Sequence, residues 1–105
     1  MTEPEFRSFV AQALNELFDA IDELDPDALD PTLTSGVLKV VFEADRSVFV
    51  LSQQVPTQEL WLSANLSAYH FRYVDGQWIE RDTAEPMLPL LSAMFTAKLG
   101  EPVQF

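Results

Sequence analysis

SQQVPTQELWLS, residues Ser52–Ser63, contains a break followed by the start of a strand. Pro56 and Thr57 end the apolar run before them, because proline has no N–H to offer a sheet ladder. In Glu59–Ala64 (ELWLSA) apolar residues alternate with a period of two. Leu60 and Leu62 therefore fall on one face, and Glu59, Trp61 and Ser63 on the other. The leucine pair marks the side turned towards a core. Trp61 then lies on a polar face, and tryptophan is enriched among residues that anchor a protein partner. The competing arrangement covers the indole with neighbours such as Gln53 or Arg72.

Outward from this stretch the chain reads as a run of strands. Gly36–Glu43 (GVLKVVFE) and Arg46–Gln53 (RSVFVLSQ) are rich in β-branched and aromatic residues, with a tight turn expected near Ala44 and Asp45. Ala68–Val74 and Gln77–Arg81 flank Asp75-Gly76, the dipeptide of a type I′ hairpin. Strands in such close succession form an antiparallel meander.

A helix is expected at each end. Phe6, Phe9, Val10, Ala13, Leu14, Leu17, Ile21 and Leu24 recur at helical spacing and make one apolar stripe. Thr2 or Glu3 caps this helix, Pro4 suits its first turn, and Pro26 keeps it from running far past Leu24. Asp25–Thr34, with Pro26 and Pro31, reads as a turn-rich connection. Met87, Leu88, Leu90, Leu91, Met94, Phe95 and Leu99 form a second stripe, which Gly100 stops. Two amphipathic helices bracketing a sheet pack on one of its faces and leave the other to solvent. The expected fold is an α+β two-layer sandwich, with two terminal helices on an antiparallel sheet of about five to six strands.

Composition narrows the chemistry. A chain of 105 residues suffices for one domain around one core. With no Cys there are no disulfides, thiolate ligands or cysteine nucleophiles, which suits a reducing, cytoplasmic setting. His70 is the only histidine, so a His-rich zinc or haem site is excluded. For want of other ligands near it in sequence, His70 reads as a structural or surface histidine. No apolar run reaches membrane-spanning length, and the acidic MTEPEF start is unlike a signal or transit peptide. A formal charge of −11 disfavours nucleic acid and anionic membranes and favours cations or basic proteins. No nucleophile–base pair or phosphate-binding loop emerges, so the chain does not read as an enzyme.

The acidity is concentrated. Glu16, Asp19, Asp22, Glu23, Asp25, Asp27 and Asp30 contribute seven negative charges with no basic residue among them. Acids at helical spacing near a helix C-terminus repel one another and oppose the macrodipole. Two carboxylates about 6 Å apart in water repel by about 0.7 kcal/mol. A cation or a basic surface would relieve this strain, whereas a solvated acidic face would serve only solubility. Oxygen donors alone select hard cations, and a convex helix face leaves water to complete the shell, so binding is expected to be weak and unselective.

The order of elements, together with Gln54, Pro56, Leu60, Trp61 and Leu62, resembles the frataxin family and in particular its bacterial branch. Tyr69, His70, Phe71 and Trp78 in AYHFRYVDGQWIERD, and the acidic first helix running into an acidic loop, extend the resemblance from Phe6 to about Gly100. The resemblance implies a single frataxin-like domain over residues 1–105. It implies an iron-binding regulator of iron–sulfur cluster assembly that is not an enzyme. Such a protein binds Fe²⁺ or Fe³⁺ weakly on the acidic ridge, which here is Glu16, Asp19, Asp22, Glu23, Asp25, Asp27 and Asp30. It docks on a cysteine desulfurase and the scaffold machinery through Asp19, Asp22, Glu23, Gln54 and Trp61, as a monomer that iron can drive to oligomerise. Four places depart from the family pattern: Ser52 stands for Asn, Gln53 for a basic residue, Phe18 for an acid, and Ser67-Ala68 for a glycine-containing turn. The rival class is an acidic dimeric interaction module such as a secretion chaperone, which a mass measurement in solution separates.

Overall fold

The computed structural model describes all 105 residues. Helix α1 (Glu3–Asp22) is followed by β1 (Leu29–Thr34), β2 (Val37–Phe42), β3 (Val48–Gln54), β4 (Glu59–Ala64), β5 (Ser67–Val74) and β6 (Gln77–Glu80), and the last helix is α2 (Met87–Leu99). The strands form one antiparallel sheet in sequence order. This is the expected α+β sandwich, with six strands.

Helix α1 begins where the sequence directs. Thr2 is the N-cap, and a capping box with Glu5 satisfies two amide donors that the first turn leaves without helical partners. Phe6, Val10, Leu14, Leu17 and Ile21 are buried along one stripe. They join Leu38, Val40, Phe42, Phe49, Leu51, Leu60, Leu62 and Phe71 from the sheet, and Met87, Leu91 and Phe95 from α2, in one core of 19 residues. Each such side chain contributes about 1.5–3 kcal/mol by leaving water. Phe42, Phe49 and Phe95 meet edge to face, with ring centroids 4.9–5.8 Å apart. Gly100 closes α2 in the left-handed conformation at φ 71°, its N–H bonded to the Thr96 carbonyl.

The structure departs from the sequence expectation at two points and removes the alternative of an indole covered by Gln53. The expected connection over Asp25–Thr34 contains β1, an edge strand that pairs Asp30 with Val41 and Pro31 with Val40. Proline is tolerated there because an edge strand leaves alternate N–H groups unpaired. The turn between β4 and β5 is Asn65-Leu66, at φ 50° and 65°, and Ser67 and Ala68 already belong to β5. Gln53 does not cover Trp61. It lies opposite Leu60 and packs over Gly36, where a Cβ would stand 2.3 Å from the Gln53 amide nitrogen. Asp75-Gly76 does form the expected hairpin, with φ positive at both residues.

Candidate functional site: an acidic ridge and an open sheet face

The seven acids follow one another along α1, the turn after it and β1. Glu16, Asp19, Asp22 and Glu23 project from α1 and its cap, Asp25 and Asp27 from the following turn, and Asp30 from β1, all exposed. None of the seven takes part in a salt bridge, although five of the six basic residues do. Local bonds are few: the Gln12 amide donates to Glu16 at 3.3 Å, and Asp25 accepts the Asp27 N–H at 2.9 Å. Alternation along β1 turns Leu29 into the core and Asp30 to the opposite face. The acidic run thus starts on the helix side, passes the β1 edge and reaches the open face of the sheet. No three of these carboxylates converge within ligand distance of one another.

Trp61 lies on that open face and keeps 37% of its surface exposed, as the alternation in ELWLSA predicts. Ser52 is its partner on β3 and His70 its partner on β5. The His70 ring stands edge-on to the indole, 4.8 Å between centroids. Gln54 shares the face two residues along from Ser52, and its amide donates to the Ser52 hydroxyl at 3.3 Å. Lys39, Arg72 and Arg81 put positive charge near this surface, and Lys39 has no acidic partner.

Glu59 is the residue that sequence reasoning missed. Alternation puts it beside Trp61 on the solvent side, yet it is fully buried. The Trp61 Nε1–H donates to its Oε1 at 3.0 Å, Arg72 Nε donates to Oε2 at 3.0 Å, and Arg81 Nη1 reaches both oxygens at 3.2 and 3.4 Å. Burial alone would push the Glu59 carboxyl up, but the indole and the two guanidiniums outweigh it and hold the group below the usual carboxylate range. Glu80 is also buried, and it accepts the backbone N–H groups of His70, Asp82 and Thr83. Burial raises it, and those three N–H bonds with the nearby His70 bring it below its ordinary value. The register set by the Asp75-Gly76 turn was the signal for this second cluster, since it brings Phe71 opposite Glu80.

A cavity of about 390 Å³ opens between α1, β5, β6 and α2 and is walled mainly by Phe9, Leu17, Tyr73, Trp78 and Met87. Glu16 and Tyr73 are its only titratable residues, and they make no nucleophile–base pair. No helix is long and apolar enough to cross a membrane.

A helix-flanked antiparallel meander with an acidic first helix and a tryptophan on its open face defines the class. The family model described as a frataxin-like domain matches residues 1–101. The chain belongs to the frataxin family, in its bacterial CyaY branch. It is 32% identical over 105 residues to the iron–sulfur cluster assembly protein CyaY of Paraburkholderia xenovorans, covering all of this chain and 98% of that one. The CyaY protein of Photobacterium profundum is 33% identical, again over all of this chain and 98% of the relative. Among solved structures, frataxin from Psychromonas ingrahamii superposes with a TM-score of 0.90 at 24% identity, covering 99% of this chain and 97% of the other. Trimeric frataxin from Saccharomyces cerevisiae, complexed with ferrous iron, gives 0.78 at 23% identity over 89% of this chain and 87% of the other. These two likenesses bear on the fold.

Proposed function

We propose that this protein is an accessory factor of iron–sulfur cluster assembly. In this reading it carries Fe²⁺ or Fe³⁺ weakly on the ridge, docks on a cysteine desulfurase and tunes its output. The observation that carries this reading is the run of seven exposed carboxylates from α1 to β1, none with a basic partner. Uncompensated like charge at this density is a standing electrostatic cost, and a cation or a lysine- and arginine-rich surface removes it. The ridge supplies oxygen donors only, and they are splayed rather than convergent. That fits hydrated, weakly held ions rather than a closed cage.

The open face would contribute specificity. Trp61 offers an apolar anchor ringed by Gln54, Ser52 and His70. Since the acidic run passes the β1 edge, one partner could meet Asp30 and the open face together. The protein itself performs no covalent chemistry in this account and acts as a monomer inside the cell. Charge reversal tests ridge docking: Asp19→Lys, Asp22→Lys and Glu23→Lys together should weaken desulfurase binding while the fold persists, because all three side chains are exposed. Undiminished affinity in the folded triple variant would overturn ridge docking.

A further inference from the structure

One place in the molecule brings three metal-ligating side chains together, and it is not the ridge. One ligand atom from each of His70, Glu80 and Asp82 lies within 4.8 Å of the other two. The group sits on β5, the end of β6 and the turn after it, whereas the ridge borders β1 at the other edge of the sheet. Pairing of Phe71 with Glu80 builds it, and the Arg81 N–H donates to the His70 carbonyl at 2.9 Å to extend the ladder.

Each residue is prepared differently. Glu80 is buried and fixed: its Oε1 accepts from Asp82 and Thr83, but its Oε2 accepts only the His70 N–H, at 2.7 Å. A carboxylate oxygen offers two lone pairs, so Oε2 keeps one for a cation. The His70 ring makes no hydrogen bond within the chain, and no buried side-chain nitrogen or oxygen lacks a partner. Its nitrogens therefore open to solvent, while the edge-on contact with Trp61 fixes the ring plane. Asp82 is 73% exposed along its side chain and only loosely held, 3.8 Å from Arg81 Nε. Ligand atoms about 2.1 Å from a common metal stand roughly 3 Å apart. The exposed side chain of Asp82 is free to rotate towards a bound ion. Arg81, the nearest positive charge, is already shared with Glu59.

We propose that His70, Glu80 and Asp82 form a second cation site, one imidazole and two carboxylates with water completing the shell. An imidazole donor suits borderline divalent ions such as Fe²⁺, Co²⁺ and Zn²⁺ better than Mg²⁺ or Ca²⁺. This site therefore differs from the ridge in chemistry as well as in place. It does not depend on the proposed docking function.

The test is a Co²⁺ titration of the intact protein in excess Mg²⁺, which competes for the ridge, read by calorimetry and by quenching of tryptophan emission. Wild-type protein should retain one Co²⁺ site under these conditions. His70→Gln and Asp82→Asn should each weaken it roughly tenfold or more, since even changes outside the ligand shell cost about that much. Asp19→Asn, Asp22→Asn and Glu23→Gln together should leave it unchanged. Circular dichroism checks folding; should His70→Gln not fold, Asp82→Asn on its exposed side chain decides. No Co²⁺ binding by wild type in excess Mg²⁺, unchanged affinity in the folded variants, or loss in the ridge variant would each overturn the proposal.

Discussion

The Trp61 indole N–H is bonded to the Glu59 carboxylate at 3.0 Å, so the one large aromatic side chain on the open face is tied to a fully buried charge. The consequence is orientation. With its only donor engaged, the indole presents carbon surface to whatever docks there. Arg72 and Arg81 hold the same carboxylate from the β5 and β6 side, so three strands fix the pose of one ring.

Replacing Glu59 should therefore cost more than a typical surface change. Glu59→Gln removes the charge that compensates two guanidiniums while keeping the shape. Arg72 and Arg81 retain 61% and 34% exposure, so water takes over part of the interaction. The expected loss is about 2 kcal/mol, or roughly 10 °C in melting temperature for a domain of this size. Urea unfolding measures it, and a change under about 0.5 kcal/mol would mean that the buried network contributes little.

Glu59 and Glu80 also set an acid limit. Both carboxyls lie below their usual values in the folded chain, so unfolded protein takes up these protons first as pH falls. Their stabilisation is full above the unfolded value of about 4.3 and is lost as pH drops through the folded values. Unfolding midpoints taken stepwise from about pH 6 to 3 should fall more steeply for wild type than for Glu59→Gln. Parallel curves would contradict the assignment.

Leu66 is a strained position, one of six non-glycine residues at positive φ. It occupies φ 65° at the tip of the β4–β5 turn, and its side chain is wholly exposed. A left-handed conformation costs an L-residue about 1–2 kcal/mol, and Leu66 gains no burial in return. Leu66→Gly creates Asn-Gly, the preferred type I′ pair, and should raise stability by about 0.5–1 kcal/mol after the entropy cost of glycine. A lower melting temperature would show that Leu66 makes a stabilising contact.

Ridge repulsion predicts a distinction between salts. Mg²⁺ or Ca²⁺ should raise the melting temperature beyond Na⁺ at equal ionic strength, because bound divalent ions stabilise the folded state by mass action. Equal effects would mean screening without binding. In Asp19→Asn, Asp22→Asn and Glu23→Gln together the difference should shrink, and stability at low salt should rise by about 1 kcal/mol.

Much of this architecture is legible in the chain. Leu60 and Leu62 fix the face of β4, and with it the exposure of Trp61, because alternation is a local rule. Strand β1 is not legible, since Asp30 and Pro31 carry turn signals that only an edge position overrides. Glu59 and Glu80 depend on partners that pairing brings in from afar: Arg72 and Arg81 lie 13 and 22 residues from Glu59, and His70 lies 10 from Glu80. The acids of the ridge are plain in the sequence, but their failure to converge belongs to the geometry of one helix and one edge strand.

Trp61→Arg separates the two surfaces. Losing the apolar anchor should weaken desulfurase binding by about tenfold or more, as for an interface hot spot. Fe²⁺ uptake by the ridge should be unchanged, since the indole is not a ligand. If docking and ridge uptake fell together in an Asp82→Asn background, which removes the His70 cluster, the ridge and the sheet face would have to be one site.

The most direct measurement is binding of the wild-type protein to the cysteine desulfurase of the same cell, by interferometry at low and at physiological salt. The account predicts micromolar or tighter affinity that weakens as salt screens the ridge. Absence of binding at both salts, or affinity indifferent to salt, would contradict docking through the acidic run.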